Sequence, residues 1–506
     1  MINQIITGVQ IVFQPMNLFF CFLGVLMGTL VGVLPGLGPA AAIALLLPAT
    51  FQMSPVTAII MLAGIYYGAM YGGSTTSILL NIPGEAASVV TCFDGYPMAL
   101  QGRAGAALGI SAFGSFIAGT LSVLGLMLIA PPLAKFALSF GPPEYFSLLL
   151  LGIVILIYMA SGSILKAMMM AVFGLLIGTI GQDSISGTLR LTFGIRDLYD
   201  GVGLIPAIMG LFGVAEVISN VERTIRSEVI VIRAKDFKNL LPNLKDWRDS
   251  FFPIMRGSIM GFLIGVVPGP SSTIASFTSY AVEKKLSKHP EKFGKGAIEG
   301  VAGPETANNA ATGGSLVPLL TLGIPTNAVT ALLLGAFMIH GVMPGPMLIP
   351  KHPDLFWGLV VSMYLGNVML LVLNLPLIGL WIQVLKVPYP FLFPFILLFC
   401  LIGVFSLNYS HVEVSLMIGF GVFGYLAKKA QLELAPLVLA LVIGPMLENH
   451  LRLSLIISRG NPWIFLNRPM SAVLICITLA LLISPLIPAI GRRRQKLHEK
   501  VKGEID

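Results

Sequence analysis

From Phe19 to Phe51 the chain runs for 33 residues without a charged side chain, and Pro35-Gly36 sits in the middle of that run. About 20 residues of α-helix cross a bilayer, so the run is too long for one upright span. Proline lacks a backbone donor and clashes with the preceding turn, while glycine admits the turned conformations that follow. The sequence predicts a helix that breaks at Leu34-Pro35-Gly36-Leu37-Gly38-Pro39 and restarts, rather than one steeply tilted span.

Uncharged apolar blocks of spanning length recur to the end of the chain. Only 11% of the 506 residues are charged, 56% are hydrophobic and the mean hydropathy is +0.89. Soluble domains carry about a quarter charged residues, so the expectation is an all-α polytopic integral membrane protein of about 10 to 12 spans. A β-barrel would need short alternating segments, and these runs are continuous. The net charge of +8 gathers in short loops and the tail, as in cytoplasmic loops of membrane proteins, and does not point to nucleic acid. Cys21, Cys92, Cys400 and Cys476 have no paired spacing and read as small core residues. No Lys or Arg precedes Arg103, so the basic start of a cleaved signal peptide is missing and the first block is expected to stay.

The chain also repeats itself. VGVLPGLGPAAAIA (31–44) has a counterpart in IGVVPGPSSTIASF (264–277), with Gly32 matching Gly265 (265 − 32 = 233). YGGSTTSILLNIPGEA (71–86) pairs with TGGSLVPLLTLGIPTNA (312–328), the Gly-Gly-Ser offset being 313 − 72 = 241 and the Ile-Pro offset 324 − 82 = 242. The second half contains an insertion, EKKLSKHPEKFGKG (283–296), and VFGLLIGTIGQ (172–182) resembles VFGYLAKKAQ (422–431). The expected organisation is a first transmembrane repeat over 1–221, a basic cytoplasmic linker over 222–250, a second repeat over 251–491 and a basic cytoplasmic tail over 492–506. The linker carries seven Lys/Arg and the insertion five lysines, which places both with the tail in the cytoplasm. Segment 251–282 must then be a hairpin turning at Val267-Pro268-Gly269-Pro270. PATFQMSP (48–55), the equivalent loop of the first half, has no basic residue, as expected if the two homologous halves are inverted.

Matched breaks in two halves are the sequence signature of a transporter's central site. Exposed helix N-termini suit an anion, and exposed carbonyls suit a small cation such as Na⁺. A single Pro-Gly would read as a packing kink; its recurrence favours binding, which makes Pro35, Gly36, Gly38, Pro268, Gly269, Ser271, Ser272 and Thr273 candidates. Around the second pair of breaks crowd Ser74, Thr75, Thr76 and Asn81, and in the other half Asn308, Asn309, Gly314, Ser315, Pro325, Thr326 and Asn327. Any one of these polar groups is commonly interhelical glue, but their density suggests a cavity lining. An acid at membrane depth costs at least about 2.5 kcal/mol and is a functional candidate by default. Glu305, flanked by Pro304 and Asn308-Asn309, is the leading one, with Asn309 beside it as a cation-coupling pair. Glu85 and Asp94 are expected at an interface, because CFDGYPMALQGRAG (92–105) reads as a polar loop. Glu216 and Glu448 stand near the ends of later blocks, and Arg256, Lys166 and Lys386 read as interfacial. Metalloprotease, phosphate-loop and dinucleotide signatures are missing, so no catalytic residue, firm metal site or cofactor is expected; an intramembrane enzyme using Glu305 is the remote alternative.

GVLPGLGP (32–39), YGGSTTSILLNIPGE (71–85), GVAGPETANNAATGGS (300–315), PLLTLGIP (318–325) and MLENHLRLSLIISRGNP (446–462) together resemble the large membrane subunit of the tripartite tricarboxylate transporters. That resemblance implies a bacterial inner-membrane permease of about twelve spans. It implies two partners, a small four-helix membrane subunit and a periplasmic solute-binding protein delivering an organic acid. It also implies symport driven by a cation gradient, commonly Na⁺ with H⁺ the alternative, and citrate as the best-known substrate class. A stand-alone carboxylate permease is the competing reading within transport.

Overall fold

The computed structural model describes residues 2–34, 38–160, 163–183, 185–222, 241–384 and 389–483. Pro35, Gly36, Lys386, most of the basic linker and the basic tail lie outside the described residues. The described chain is almost entirely helical, and six of its helices are long and apolar enough to cross a membrane: Pro15–Val33, Pro55–Leu80, Ala104–Ala137, Leu204–Glu222, Pro353–Asn374 and Leu434–Ile457. Large apolar side chains such as Phe19, Leu124 and Leu128 point outward from these helices, as lipid-facing residues do.

The chain divides into two compact units. The first comprises Met1–Ala137, Gly203–Val267 and Ser271–Leu426. In it, α1 (Pro15–Val33) and α2 (Pro39–Leu46) flank the first break, and α3 (Pro55–Leu80), α4 (Val89–Leu100) and α5 (Ala104–Ala137) follow. Then α6 (Leu244–Val266) and α7 (Ser271–Leu286) flank the second break, followed by α8 (Glu299–Leu322) and α9 (Ala328–Ile339). Both breaks are as the sequence predicts. Leu34 turns to an extended conformation after α1, and Gly269 takes φ 147° between α6 and α7. The start of α6 lies inside the polar stretch, where Asn243 and Asp246 cap one another's backbone N–H groups.

Two helices are enclosed on nearly every side. All residues of α3 from Thr57 onward and all of α8 from Gly300 to Thr321 are buried. Glycines make that enclosure possible. Gly24, Gly28 and Gly32 of α1 lie against the carbonyls of Met61, Ile65 and Ala69 on α3; Gly257, Gly261 and Gly265 of α6 lie against those of Gly303, Ala307 and Ala311 on α8. Small residues let backbones touch where lipid offers no hydrophobic gain for association. The two seams share one register. Partners on α1 and α6 are 233 apart (257 − 24 = 233), and those on α3 and α8 are 242 apart (303 − 61 = 242). Gly72 faces Thr29 as Gly314 faces Phe262, at those same offsets. This corrects the Gly-Gly-Ser pairing by one residue: Gly72 corresponds to Gly314, because facing the seam, not the local triplet, fixes the register. The central helices also end alike, in left-handed Asn81 and Gly323, a common helix stop.

The expected polar loop at 92–105 is largely helix α4, and Asp94 is fully buried. Its Oδ1 accepts backbone N–H groups of Gly294, Gly296 and Ala297 at 2.8–2.9 Å, and its Oδ2 accepts the Tyr280 hydroxyl at 3.0 Å. Asp94 therefore clamps the inserted segment, and this demand for donors outweighs the turn signals of Gly95 and Pro97. Arg256 is interfacial in character but paired, through two bonds, to buried Glu283.

In the second unit, helices Pro142–Tyr158, Ile164–Gly178, Leu434–Ile457 and Pro469–Ile483 pack together. A short antiparallel hairpin, β1 (Gly181–Gln182) with β2 (Leu189–Arg190), pairs Gly181 with Arg190. The segment read as a third repeat serves close packing in both copies. Gly174 meets Leu437 here, and in the first unit Gly424 meets Leu211 and Ala215.

Gly261→Leu is expected to force α6 from α8 and abolish monodisperse protein in detergent, since overpacking costs ~1–3 kcal/mol or more. Gly419→Ala, with open space at that position, should elute as the wild type does. Asp94→Ala should free the insertion, seen as faster tryptic cleavage at Lys288, Lys292 and Lys295; unchanged cleavage would deny the clamp.

Candidate functional site

An acid can sit inside a membrane protein only where other groups replace water around it. Glu305, on enclosed α8, is 1% exposed. Three helices bring hydroxyls to it: Ser74 of α3 donates to Oε2, Thr91 of α4 to Oε1, and Ser111 of α5 to Oε2 at 3.2 Å. One turn along, Asn309 donates to Ser115 Oγ at 2.7 Å and to the Glu305 carbonyl at 3.1 Å. Glu305 and Asn309 on α8 thus face Ser111 and Ser115 on α5, each pair four residues apart and so on one helix face.

The other acid is Glu85, 8% exposed. It stands in the unwound segment between α3 and α4 rather than at an interface, which corrects the sequence expectation. Asn308 Nδ2 donates to its Oε1 at 3.0 Å, and its Oε2 lies against Gly73, whose missing side chain leaves the room. Glu305 is within electrostatic reach of Glu85, and neither acid has a Lys, Arg or His partner among the described residues.

The remaining candidates divide between a second polar cluster and packing roles. Ser315 Oγ lies 3.2 Å from Tyr66 Oη, which also receives Asn327 Nδ2 at 3.2 Å. Asn327 caps α9 through Thr330 N, while the N–H of Thr326 donates to Thr330 Oγ1. Pro325 lies in the break between α8 and α9. Thr76 donates to the Val33 carbonyl at 2.6 Å, satisfying an acceptor that the end of α1 leaves open. Gly314 belongs to the seam, Asn81 is the exposed cap of α3, and Thr75 is buried. At the breaks, Gly38 starts α2 with open space at its Cα, and Ser271, Ser272 and Thr273 start α7, where the buried Ser271 hydroxyl has no partner among the described residues. Pro268 and Gly269 lie in the break itself, with Gly269 against Met159.

The sequence reading missed Tyr66, Thr91, Ser111 and Ser115. Single hydroxyls in apolar helices are ordinary; the usable signal was the spacing of Ser111 and Ser115, which repeats that of Glu305 and Asn309.

In the second unit a cavity of about 300 Å³ is lined by Arg190, Tyr199, Glu448, Asn449 and Arg452 among others. Arg190 forks onto Glu448 at 2.8 and 3.3 Å, and Arg452 reaches Asp183 Oδ2 at 2.5 Å. Each arginine is met by an acid, so the cluster pins the hairpin to the Leu434–Ile457 helix instead of attracting an anion. Lys166 is occupied by the Ala430 carbonyl at 2.7 Å. The N–H groups of Ser186 and Ile185, together with Arg452, hold the Asp183 carboxyl well below the usual carboxylate range. A depressed folded value means that this contribution is complete above the ordinary value near pH 4 and drains as pH falls through the folded one. The Ile185 and Ser186 amides should therefore exchange hydrogen faster as pH drops below about 4, after correction for intrinsic rates. Protection that holds flat, or is lost on raising pH instead, would contradict this.

Comparison with known proteins bears on the whole chain. Residues 18–439 match the family model described as the tripartite tricarboxylate transporter TctA family. An uncharacterized 52.8 kDa protein in the TAR-I ttuC' 3' region of Agrobacterium vitis is 51% identical over 497 residues, covering 98% of both chains. An uncharacterized protein in the TAR-II ttuC' 3' region of the same organism is 50% identical over 237 residues, 47% of this chain and 98% of that protein. No solved structure matches. With its apolar helices, the match makes this a multi-pass membrane protein of a transporter family: the chain belongs to the tripartite tricarboxylate transporter TctA family.

Proposed function

We propose that the chain is the large permease subunit of a binding-protein-dependent secondary transporter in a bacterial inner membrane. It takes up tricarboxylates or related organic acids together with Na⁺ or H⁺. A periplasmic solute-binding protein delivers the acid, and a small four-helix membrane subunit completes the complex. Repeats 1–221 and 251–491 are inverted about an axis in the membrane plane, with linker 222–250 and tail 492–506 in the cytoplasm. Alternating access then moves one unit of the fold past another around a fixed site.

One observation supports this reading above the others. Two buried acids, Glu85 in unwound backbone and Glu305 on α8 within electrostatic reach of it, have no basic partner among the described residues. An anion entering such a place meets repulsion unless a cation accompanies it, which ties uptake of an acid to uptake of a positive ion. The carboxylates of the substrate are assigned to the N-termini of α2 and α7, at Gly38 and at Ser271-Ser272-Thr273, where backbone N–H groups point outward. Pro268-Gly269 serves by keeping the α7 N-terminus free of the preceding helix.

The test is uptake of a panel of labelled organic acids by vesicles holding the complex, with and without inward Na⁺ and proton gradients. Unchanged substrate should accumulate only with a gradient and with the binding protein. Glu305→Gln should lower uptake about tenfold or more, a loss of ~1.4 kcal/mol, with the protein still folded. Uptake indifferent to both gradients would sink the coupling; uptake without the binding protein would mean a stand-alone permease; a chemically altered product would mean an enzyme.

A further inference from the structure

Residues 242 apart occupy matching places at the second pair of breaks, and their contacts cross over. Glu85 corresponds to Asn327 (327 − 85 = 242) and Ser88 to Thr330 (330 − 88 = 242). The backbone agrees: the Glu85 N–H donates to Ser88 Oγ at 3.3 Å and Ser88 Oγ to the Glu85 carbonyl at 2.9 Å, while Asn327 and Thr330 make the same two bonds at 2.9 Å each. Asn308 corresponds to Tyr66 (308 − 66 = 242) and Ser315 to Gly73 (315 − 73 = 242). The contact of Asn308 with Glu85 therefore has a mate in the contact of Tyr66 with Asn327. Two equivalent polar clusters result, each joining one break to the enclosed helix of the other repeat.

Their chemistry differs. In the pocket of Tyr66, Ser315 and Asn327, hydroxyl and amide hydrogens meet the facing acceptors, and no charge is present. In the pocket of Glu85, the serine is replaced by bare Gly73 and the tyrosine by Asn308. Once Asn308 Nδ2 has bonded Glu85 Oε1, two oxygens remain: Glu85 Oε2 and Asn308 Oδ1. Both are buried and neither has a hydrogen-bond donor among the described residues. Buried polar atoms of this kind demand an explanation. Two hard oxygens, one on a carboxylate and one neutral, each buried without a hydrogen-bond donor and carried by side chains already bonded to each other, are what a cation takes.

We propose that Glu85 Oε2 and Asn308 Oδ1 hold a monovalent alkali cation. The proposal rests on the cation-coupled reading above and gives the ion its seat. All-oxygen ligation excludes metals that prefer sulfur or imidazole. No group of three or more His, Cys, Asp or Glu suited to a metal occurs among the described residues, and one carboxylate balances a single charge. The unwound backbone from Asn81 to Glu85 supplies the kind of carbonyls that complete such sites in transporters. Glu305, already given three hydroxyl hydrogens, is not the ligand; it strengthens the field that draws the cation in.

The experiment measures binding without transport. Purified full-length protein in detergent, free of substrate, is titrated with NaCl against choline chloride at constant ionic strength, and thermal stability is followed at pH 6, 7 and 8. Wild type should show a saturable, Na⁺-dependent rise in Tm. Glu85→Gln should abolish it, and Asn308→Ala should shift its midpoint about tenfold or more. Tyr66→Phe, in the mate pocket, should retain it. Should Glu85→Gln not fold, the Asn308 and Tyr66 variants decide alone. A rise that persists in Glu85→Gln or is equal in Asn308→Ala and wild type overturns the site. So does stabilisation that follows pH and ignores Na⁺, which would mark Glu85 as a proton carrier. Site-specific Na⁺ binding with no organic-acid uptake would instead fail the transport reading and leave the site standing.

Discussion

The contact of backbone with backbone along the glycine seams is what permits the rest of the structure. Helices in a bilayer gain nothing from hiding apolar surface from water, so their association depends on how closely they can approach. At Gly24, Gly28 and Gly32, and again at Gly257, Gly261 and Gly265, a Cβ would strike a carbonyl of the facing helix. Because the seams are bare, α3 and α8 are wrapped by protein along their length. Only a wrapped helix can carry Glu305, Asn308 and Asn309 at depth without facing lipid. The polarity of the site is thus a consequence of small residues elsewhere. Being wrapped, α8 carries this polar run without showing it to lipid.

A repeated scaffold with unequal chemistry follows from the same seams. Backbone roles recur in register: the left-handed stops at Asn81 and Gly323, and the reciprocal caps at Glu85-Ser88 and Asn327-Thr330. Side chains do not recur. The counterpart of Glu305 is Ala63 (305 − 63 = 242), and the counterpart of Glu85 is Asn327. Duplicating both acids would have doubled a buried charge that hydroxyls and carboxamides can meet only once. Divergence at the polar positions, with conformity at the glycines, lets one fold hold a charged pocket and a neutral one side by side.

What was legible in the sequence follows from which signals are local. Proline and glycine act on their own backbone, so both helix breaks could be read directly. An acid in an apolar block is rare enough to single out Glu305. Asp94 misled because its partners, the N–H groups of Gly294, Gly296 and Ala297, come from about 200 residues away, and nothing near it announces them. Glu85 misled for a similar reason: it stands just ahead of 92–105, which reads as a polar loop, whereas Gly73 and Asn308 make it interior. The register of the second repeat was off by one because Gly-Gly-Ser offers two glycines, and only contact with Thr29 or Phe262 shows which one lies in the seam.

Electrostatics at the core bears on the order of events in transport. On the proposed reading, Glu85 and Glu305 act as carboxylates within reach of each other, with no basic side chain beside them among the described residues, and give the empty site a negative potential that hydroxyls soften but do not cancel. A carboxylate substrate approaching first would be repelled by Glu85 and Glu305 in a medium of low dielectric, where that repulsion is strong. A cation approaching first lowers the potential for the anion that follows. On the proposed reading, the cation therefore precedes the acid on entry, and the acid leaves before the cation on release. A basic side chain in the site would have bound the anion outright, but it would have removed the dependence on an ion gradient. On the proposed reading, the lack of one among the described residues is thus what couples the two movements.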